Sequence, residues 1–356
     1  MDRYRLMHGD RLVATITSGG VCRIRDPKFM PYSLWLEEEE DFDTRVQNIT
    51  NFYFWCASRL LTLDRQYIKE ILNSIGAVQA STDRERAAIA LSYRCLSLTD
   101  IYWTALEDDD AAWDEMNLYE NHLADSFVEI SLRGRQITAT NMELARDLST
   151  SGHFPKAWIR KKDGFYLLKG GGEDAVKREL LASHVCRSFS CPQVIYEPES
   201  FDGEPVTESR IFTSPERSIV TREAFEIYAV NHGIDALEFI KNLDPAGYYR
   251  MNLLDYLTGN TDRHWGNWGL LIDNHTNEPV SLHPLMDFNM AFHSYDRIEG
   301  SSCLPEAPRR LTQMEAAREA VRKAGFPKVR EIDPVWFDGH DEWLEMLKRR
   351  MDAAEG

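Results

Sequence analysis

Apolar residues along the first thirty positions fall in short alternating runs. Tyr4-Arg5-Leu6-Met7 and Leu12-Val13-Ala14-Thr15-Ile16, separated by His8-Gly9-Asp10, predict two strands joined by a turn. From Asn48 to about Gly76 the period changes. Leu60, Leu61, Tyr67, Ile68, Ile71, Leu72 and Ile75 recur at helical spacing. Ser81-Thr82-Asp83-Arg84-Glu85 offers an N-cap to a second helix carrying Ala87, Ile89, Ala90 and Tyr93. The stretch from Leu96 to Leu132 interleaves Tyr102, Trp103, Trp113, Tyr119 and Phe127 with acids. Core packing is the expectation for those aromatics, and a docking surface is the alternative. Ala157–Arg160 and Phe165–Lys169 flank a Lys-Lys-Asp-Gly turn and predict a hairpin. Gly170-Gly171-Gly172 follows, then an amphipathic helix from about Asp174 with Val176, Leu180, Leu181 and Val185 on one face. The rest is expected to be mostly helical, broken by loops from Asn260 to Asp296, with terminal helices over Gln313–Ala324 and Asp341–Met351.

Composition narrows the function classes. The chain has 356 residues, 43% hydrophobic and 28% charged, which is ordinary for a globular protein and excludes wholesale disorder. Its 41 Lys and Arg against 58 Asp and Glu leave a net charge of −17. A field of that sign opposes nucleic acid and anionic membranes, but not one small anion in a locally basic pocket. No apolar run is long enough to span a bilayer, and the opening residues lack a signal-peptide core. Six cysteines are scattered without a CxxC pair, so neither zinc nor a disulfide framework is indicated. The expectation is a cytoplasmic protein. The acidic run Glu37 to Asp43 reads as a solvated loop.

The informative stretch is Asn260-Thr261-Asp262-Arg263-His264-Trp265-Gly266-Asn267, followed twenty residues on by Asp287-Phe288-Asn289. A protein-kinase catalytic loop places its Asp five residues before its Asn, the spacing of Asp262 and Asn267. One amide and one further carboxylate, Asn267 and Asp287, suffice for Mg²⁺, which keeps waters and substrate phosphates as its remaining ligands. Turn-forming Asp and Asn would account for one such pair, but not for the whole set. His264 is read as a packed histidine that holds the loop, in preference to a general base or metal ligand, and is kept with the nucleotide-contacting residues. Lys169 ends the apolar run of the second hairpin strand, where a kinase lysine would reach the phosphates. Glu173, Asp174, Lys177 and Glu179 compete to hold it, and Glu179 is preferred for its place beside Val176 and Leu180. Ser149, Thr150, Ser151 and Gly152 form a small polar turn able to act as an anion nest, with Lys156 adding charge.

At these residues the sequence resembles the HipA-like kinase family, bacterial proteins of the protein-kinase and phosphoinositide-kinase-like fold. The resemblance covers most of the chain and includes Leu91–Trp103, the Thr150-Ser151-Gly152 turn, Leu168-Lys169-Gly170, Lys177–Ala182 and Asn260–His264. It implies an α+β, two-lobed fold: an accessory N-terminal region over 1–131, a strand-rich small lobe over 132–212 and a helical large lobe over 213–356. By position it implies Asp262 as the catalytic Asp, Asn267 and Asp287 as Mg²⁺ ligands, Lys169 on the ATP phosphates and Glu179 holding Lys169. The interlobe linker would fall near Val206–Ile211, with the backbone of Glu208, Ser209 and Arg210 on adenine. Asp287-Phe288-Asn289 departs from the usual Asp-Phe-Gly. Ser149, Thr150 and Ser151 become candidates for regulatory phosphorylation. The implied reaction is ATP-dependent transfer to a Ser or Thr hydroxyl of a protein or peptide, and the acidic shell suggests a basic one. A silent nucleotide-binding scaffold, AMP transfer, and a kinase for a small molecule or lipid head group remain as alternatives.

Overall fold

The computed structural model describes residues 2–59, 82–121, 156–201 and 203–356. The apolar helix positions from Leu60 to Ile75, the aromatic Phe127 and the polar turn Ser149–Gly152 lie outside them. The chain divides into two compact units. The first comprises Met1–Leu167, Ile211–Ile219 and Asp273–Glu278; the second comprises Leu168–Arg210, Val220–Ile272 and Pro279–Gly356.

In the first unit β1 (Arg3–His8) and β2 (Arg11–Thr17) form the expected hairpin, pairing Tyr4 with Ile16 and Leu6 with Ala14. With β3 (Cys22–Ile24) and β4 (Tyr102–Leu106) they make a sheet of order β3-β2-β1-β4. Strand alternation sends Leu6, Ala14 and Ile16 to one face, where α1 (Phe42–Ser58) and α2 (Asp83–Ser92) cover them with Phe52, Trp55, Ala87 and Ala90. The acidic run is exposed from Glu37 to Asp43, and Asp41 caps α1 by accepting from the Thr44 N–H at 3.0 Å. Thr82 and Glu85 close a capping box at the start of α2. Trp103, Met116 and Trp113 pack together in a second cluster, the last two from the short α3 (Trp113–Met116). The aromatics from Tyr102 to Trp113 are therefore core, not a docking surface. The expected hairpin is formed by β5 (Lys156–Lys161) and β6 (Gly164–Lys169), and the last two residues of β6 belong to the second unit.

The second unit gathers the end of β6, α4 (Glu173–Ser188), β7 (Tyr196–Phe201) and β8 (Glu204–Arg210) with the C-terminal helices. Helix α4 packs on β7 and β8 and on α7 (Pro245–Thr258). After β9 (Arg217–Thr221) come α5 (Arg222–His232), α6 (Ala236–Leu243) and α7. The stretch read as loops holds two strands, β10 (Gly269–Asp273) and β11 (Glu278–Leu282), in a sheet of order β11-β10-β9. At five residues each, these strands are too short for periodicity to reveal. Helices α8 (Gln313–Ala324) and α9 (Asp341–Glu355) close the chain against α7. Among the described residues no helix is long and apolar enough to cross a membrane.

Candidate active site

The catalytic-loop candidates begin where α7 stops. Gly259 takes the left-handed conformation (φ 63°), and a Cβ there would lie 2.5 Å from the Tyr295 ring. The turn delivers Asn260 into the interior, 1% exposed, where its Nδ2 donates to Asp255 Oδ1 at 3.0 Å. Asn260 Oδ1 in turn accepts from the Asp262 N–H at 3.4 Å. Arg263 is also buried. Its Nε and Nη2 donate to the two oxygens of Asp255, both at 2.9 Å, and its Nη1 donates to the carbonyls of Asn267 (2.9 Å) and Met286 (2.5 Å). A single guanidinium thus ties the helix, the loop and the residue before Asp287. Burial opposes its charge, but the paired Asp255 outweighs that and holds its pKa above the usual value.

Within the loop, Asn267 Nδ2 donates to the Asp262 carbonyl at 2.8 Å. That contact commits the nitrogen end of the amide and leaves its oxygen as the ligating end. His264 is exposed, not packed; its Nδ1 accepts the Gly266 N–H at 3.0 Å, so it holds the loop through a backbone contact. The Asp262 carboxylate is half-buried and has no hydrogen-bond partner among the described residues. Gly269 ends the loop where a Cβ would meet the Val220 carbonyl oxygen at 2.1 Å, so β10 can approach β9 only with glycine there.

Lys169 is the last residue of β6 and is 3% exposed. Its Nζ lies 2.7 Å from Glu179 Oε1 and 2.5 Å from Asp287 Oδ1. Burial works against the ammonium, but Asp287 and then Glu179 reverse the balance and raise its pKa. The competition on α4 is decided by periodicity: Glu173 pairs with Lys177 on the surface at 2.7 Å, while Glu179 sits among Ala175, Val176, Ala182 and Ser183 on the buried face. Glu179 is saturated. Oε1 also accepts the Phe288 N–H at 3.3 Å, and Oε2 accepts the Thr207 hydroxyl at 3.0 Å.

Glu208, Ser209 and Arg210 lie in β8, which pairs Tyr196 with Ser209, Glu197 with Glu208 and Pro198 with Thr207. The segment expected to be a linker from Val206 is therefore strand through Arg210, and the chain leaves the sheet only at Ile211. Lys156 opens β5. Sequence reasoning missed Asp255, Asn260, Thr207 and Tyr196, and gave Arg263 no role. Asp255 and Arg263 flank the helix end at a spacing that only the Gly259 turn brings together. Tyr196 and Thr207 carry no local signal. As ligands, the Asn267 amide oxygen and the Asp287 carboxylate are hard oxygen donors of the kind Mg²⁺ takes. The trio Lys169, Glu179 and Asp287 sums to −1, which suits a further cation.

No protein-family model matches the chain. No curated protein matches it in sequence. Solved structures do match. HipA of Shewanella oneidensis MR-1, determined as a toxin–antitoxin complex with HipB and operator DNA, superposes with a TM-score of 0.54 at 13% identity, over 99% of this chain and 96% of that one. The Helicobacter pylori proinflammatory kinase CtkA aligns with a TM-score of 0.43 at 14% identity, over 56% of this chain and 89% of that one. The HipA match runs nearly end to end and shows the fold: the chain has a mixed α and β, HipA-like kinase fold.

Proposed function

We propose that the protein is an ATP- and Mg²⁺-dependent kinase that phosphorylates a Ser or Thr hydroxyl on a protein or peptide. The observation that carries the reading is the buried Lys169, paired at once with Glu179 and Asp287 and set among residues that arrange Asp262 and Asn267. Asn267 and Asp287 would hold Mg²⁺, which neutralises phosphate charge when bound. Lys169 binds the phosphates, kept charged by its two carboxylates. Asp262, with its carboxylate free of donors among the described residues, accepts the proton of the incoming hydroxyl as that oxygen bonds to the γ-phosphorus and ADP leaves. The end of β8, Glu208 to Arg210, would supply backbone groups to adenine, and His264 shapes the loop beneath. The net charge of −17 favours a basic acceptor.

The test is incubation with Mg²⁺ and ATP, alone and with a peptide pool, read by intact mass. A gain of one phosphate is expected, and a gain of one AMP would change the reaction class. Asp262→Ala should lower the rate roughly 10²–10⁴-fold, as for loss of a positioned base, and Asp287→Ala should be similarly impaired. Unchanged activity in both variants would remove the site assignment. A thermal shift with Mg²⁺ and ATP but no phosphorylated product would favour a nucleotide-binding scaffold.

A further inference from the structure

Asp287 carries a left-handed φ (61°), uncommon for a residue with a Cβ although Asp is one of the types that tolerate it, and its surroundings help to hold it there. Here the surroundings are visible. The chain before β7 forms a parallel bridge, Gln193 with Leu285, in which the Leu285 N–H donates to the Pro192 carbonyl at 3.0 Å and the Val194 N–H to the Leu285 carbonyl at 2.8 Å. A continued ladder would send the Asp287 N–H to the next backbone carbonyl of the neighbouring strand. Instead it donates to the Tyr196 hydroxyl at 3.0 Å. On either side, the Met286 carbonyl accepts from Arg263 and the Phe288 N–H donates to Glu179. The Tyr196 ring is buried, 5% exposed, so its hydroxyl is fixed in place.

We infer that Tyr196 is a positioning residue for the metal site: its hydroxyl replaces a ladder carbonyl and holds Asp287 in the backbone conformation that aims its carboxylate at Lys169. The inference rests on the kinase reading for the identity of the metal site. The segment Asp287-Phe288-Asn289 has no glycine, and its Asp is itself the residue in the left-handed conformation.

Tyr196→Phe removes the oxygen and keeps the ring. Calorimetric affinity for ADP should be measured in EDTA and in excess Mg²⁺. The gain in affinity conferred by Mg²⁺ should fall roughly tenfold in the variant, the order expected when a buried N–H loses its acceptor, while affinity in EDTA stays within about twofold. An equal loss under both conditions would mean a merely structural role, and an unchanged Mg²⁺ gain would overturn the inference. Hydrogen exchange of the Asp287 amide gives an independent reading. Its protection should fall by roughly tenfold or more in Tyr196→Phe, and an unchanged rate would overturn the positioning role by itself. A wild-type protein that binds no ADP under either condition would refute the kinase reading, with the exchange measurement still deciding the role of Tyr196.

Discussion

Both compact units bury cations against carboxylates, in different proportions. In the first, Arg59 meets both oxygens of Asp100 at 2.9 and 2.7 Å, and its remaining donors reach the carbonyls of Cys95 and Tyr102. Arg94 pairs with Asp109 through one carboxylate oxygen. In each pair one positive charge faces one negative charge, and around Arg59 backbone carbonyls absorb the surplus donors. In the second unit Arg263 and Asp255 follow the same one-to-one rule, but Lys169 faces two carboxylates. A balanced, saturated pair is complete without a ligand. An excess of buried carboxylate is costly to keep without another cation, and under the proposed kinase reading that cation would be the Mg²⁺ held by Asn267 and Asp287.

The largest expected effect tests that distinction. Asp100→Ala strands the buried Arg59 and should destabilise the first unit by about 3–5 kcal/mol. Asp287→Ala leaves Lys169 with Glu179 as a balanced pair and should change stability by less than about 1 kcal/mol while activity is lost. Urea titrations of the two variants compare them directly. A loss of several kcal/mol in Asp287→Ala would mean that the Lys169 trio is another structural pair.

Acid should act on both units alike. His8 in the first and His283 in the second are each held down to about 4, chiefly by burial. His8 is wedged between Phe29 and Tyr102 with ring centroids 5.2 and 4.7 Å away. Asp100 and Asp26 raise its pKa and Arg11 lowers it, without offsetting the burial. For both residues the unfolded chain takes up the proton first. The stability that each neutral ring contributes is complete above about pH 6.5, falls progressively below it and is fully lost by about pH 4. By pH 5 the linkage amounts to about 2 kcal/mol for each histidine. Urea midpoints at pH 7 and pH 5 should show it, and His8→Gln should remove the share belonging to the first unit. A pH-independent midpoint in the wild type would refute both burial arguments.

What the sequence made legible follows physical range. The β1–β2 hairpin, the β5–β6 hairpin, the Thr82 cap and the start of α4 depend on neighbours within a few positions, and periodicity or turn chemistry exposes them. Asp262, Asn267 and Asp287 were legible through their spacing, which belongs to a loop chemistry more than to a fold. Lys169 and Glu179 could be nominated because a strand end and a helix face are themselves local features. Tyr196 and Thr207 could not, since their partners lie 91 and 28 positions away and are met only through the sheet. The strands β10 and β11 were hidden for another reason: five residues carry too little period to separate a strand from a loop. The linker expected at Val206 was misplaced because nothing in Glu208-Ser209-Arg210 shows that cross-strand pairing continues to Arg210.

Thr207 gives the smallest test and the one closest to the comparison. Its hydroxyl reaches Glu179 Oε2, while Oε1 keeps Lys169 and the Phe288 N–H. Thr207→Val preserves shape in a side chain that is 0% exposed, and removes one donor of three from a buried carboxylate. Because the other two remain, the cost should be about 1.5 kcal/mol, at the low end for hydrogen bonds to charged groups. Thr207→Ser should recover most of it. If Glu179 is the residue that fixes Lys169, the valine variant should also lose activity by a few-fold through kcat, with the KM for ATP nearly constant. Equal activity in the valine and wild-type proteins, together with the stability loss, would place Thr207 with the structural pairs of the first unit.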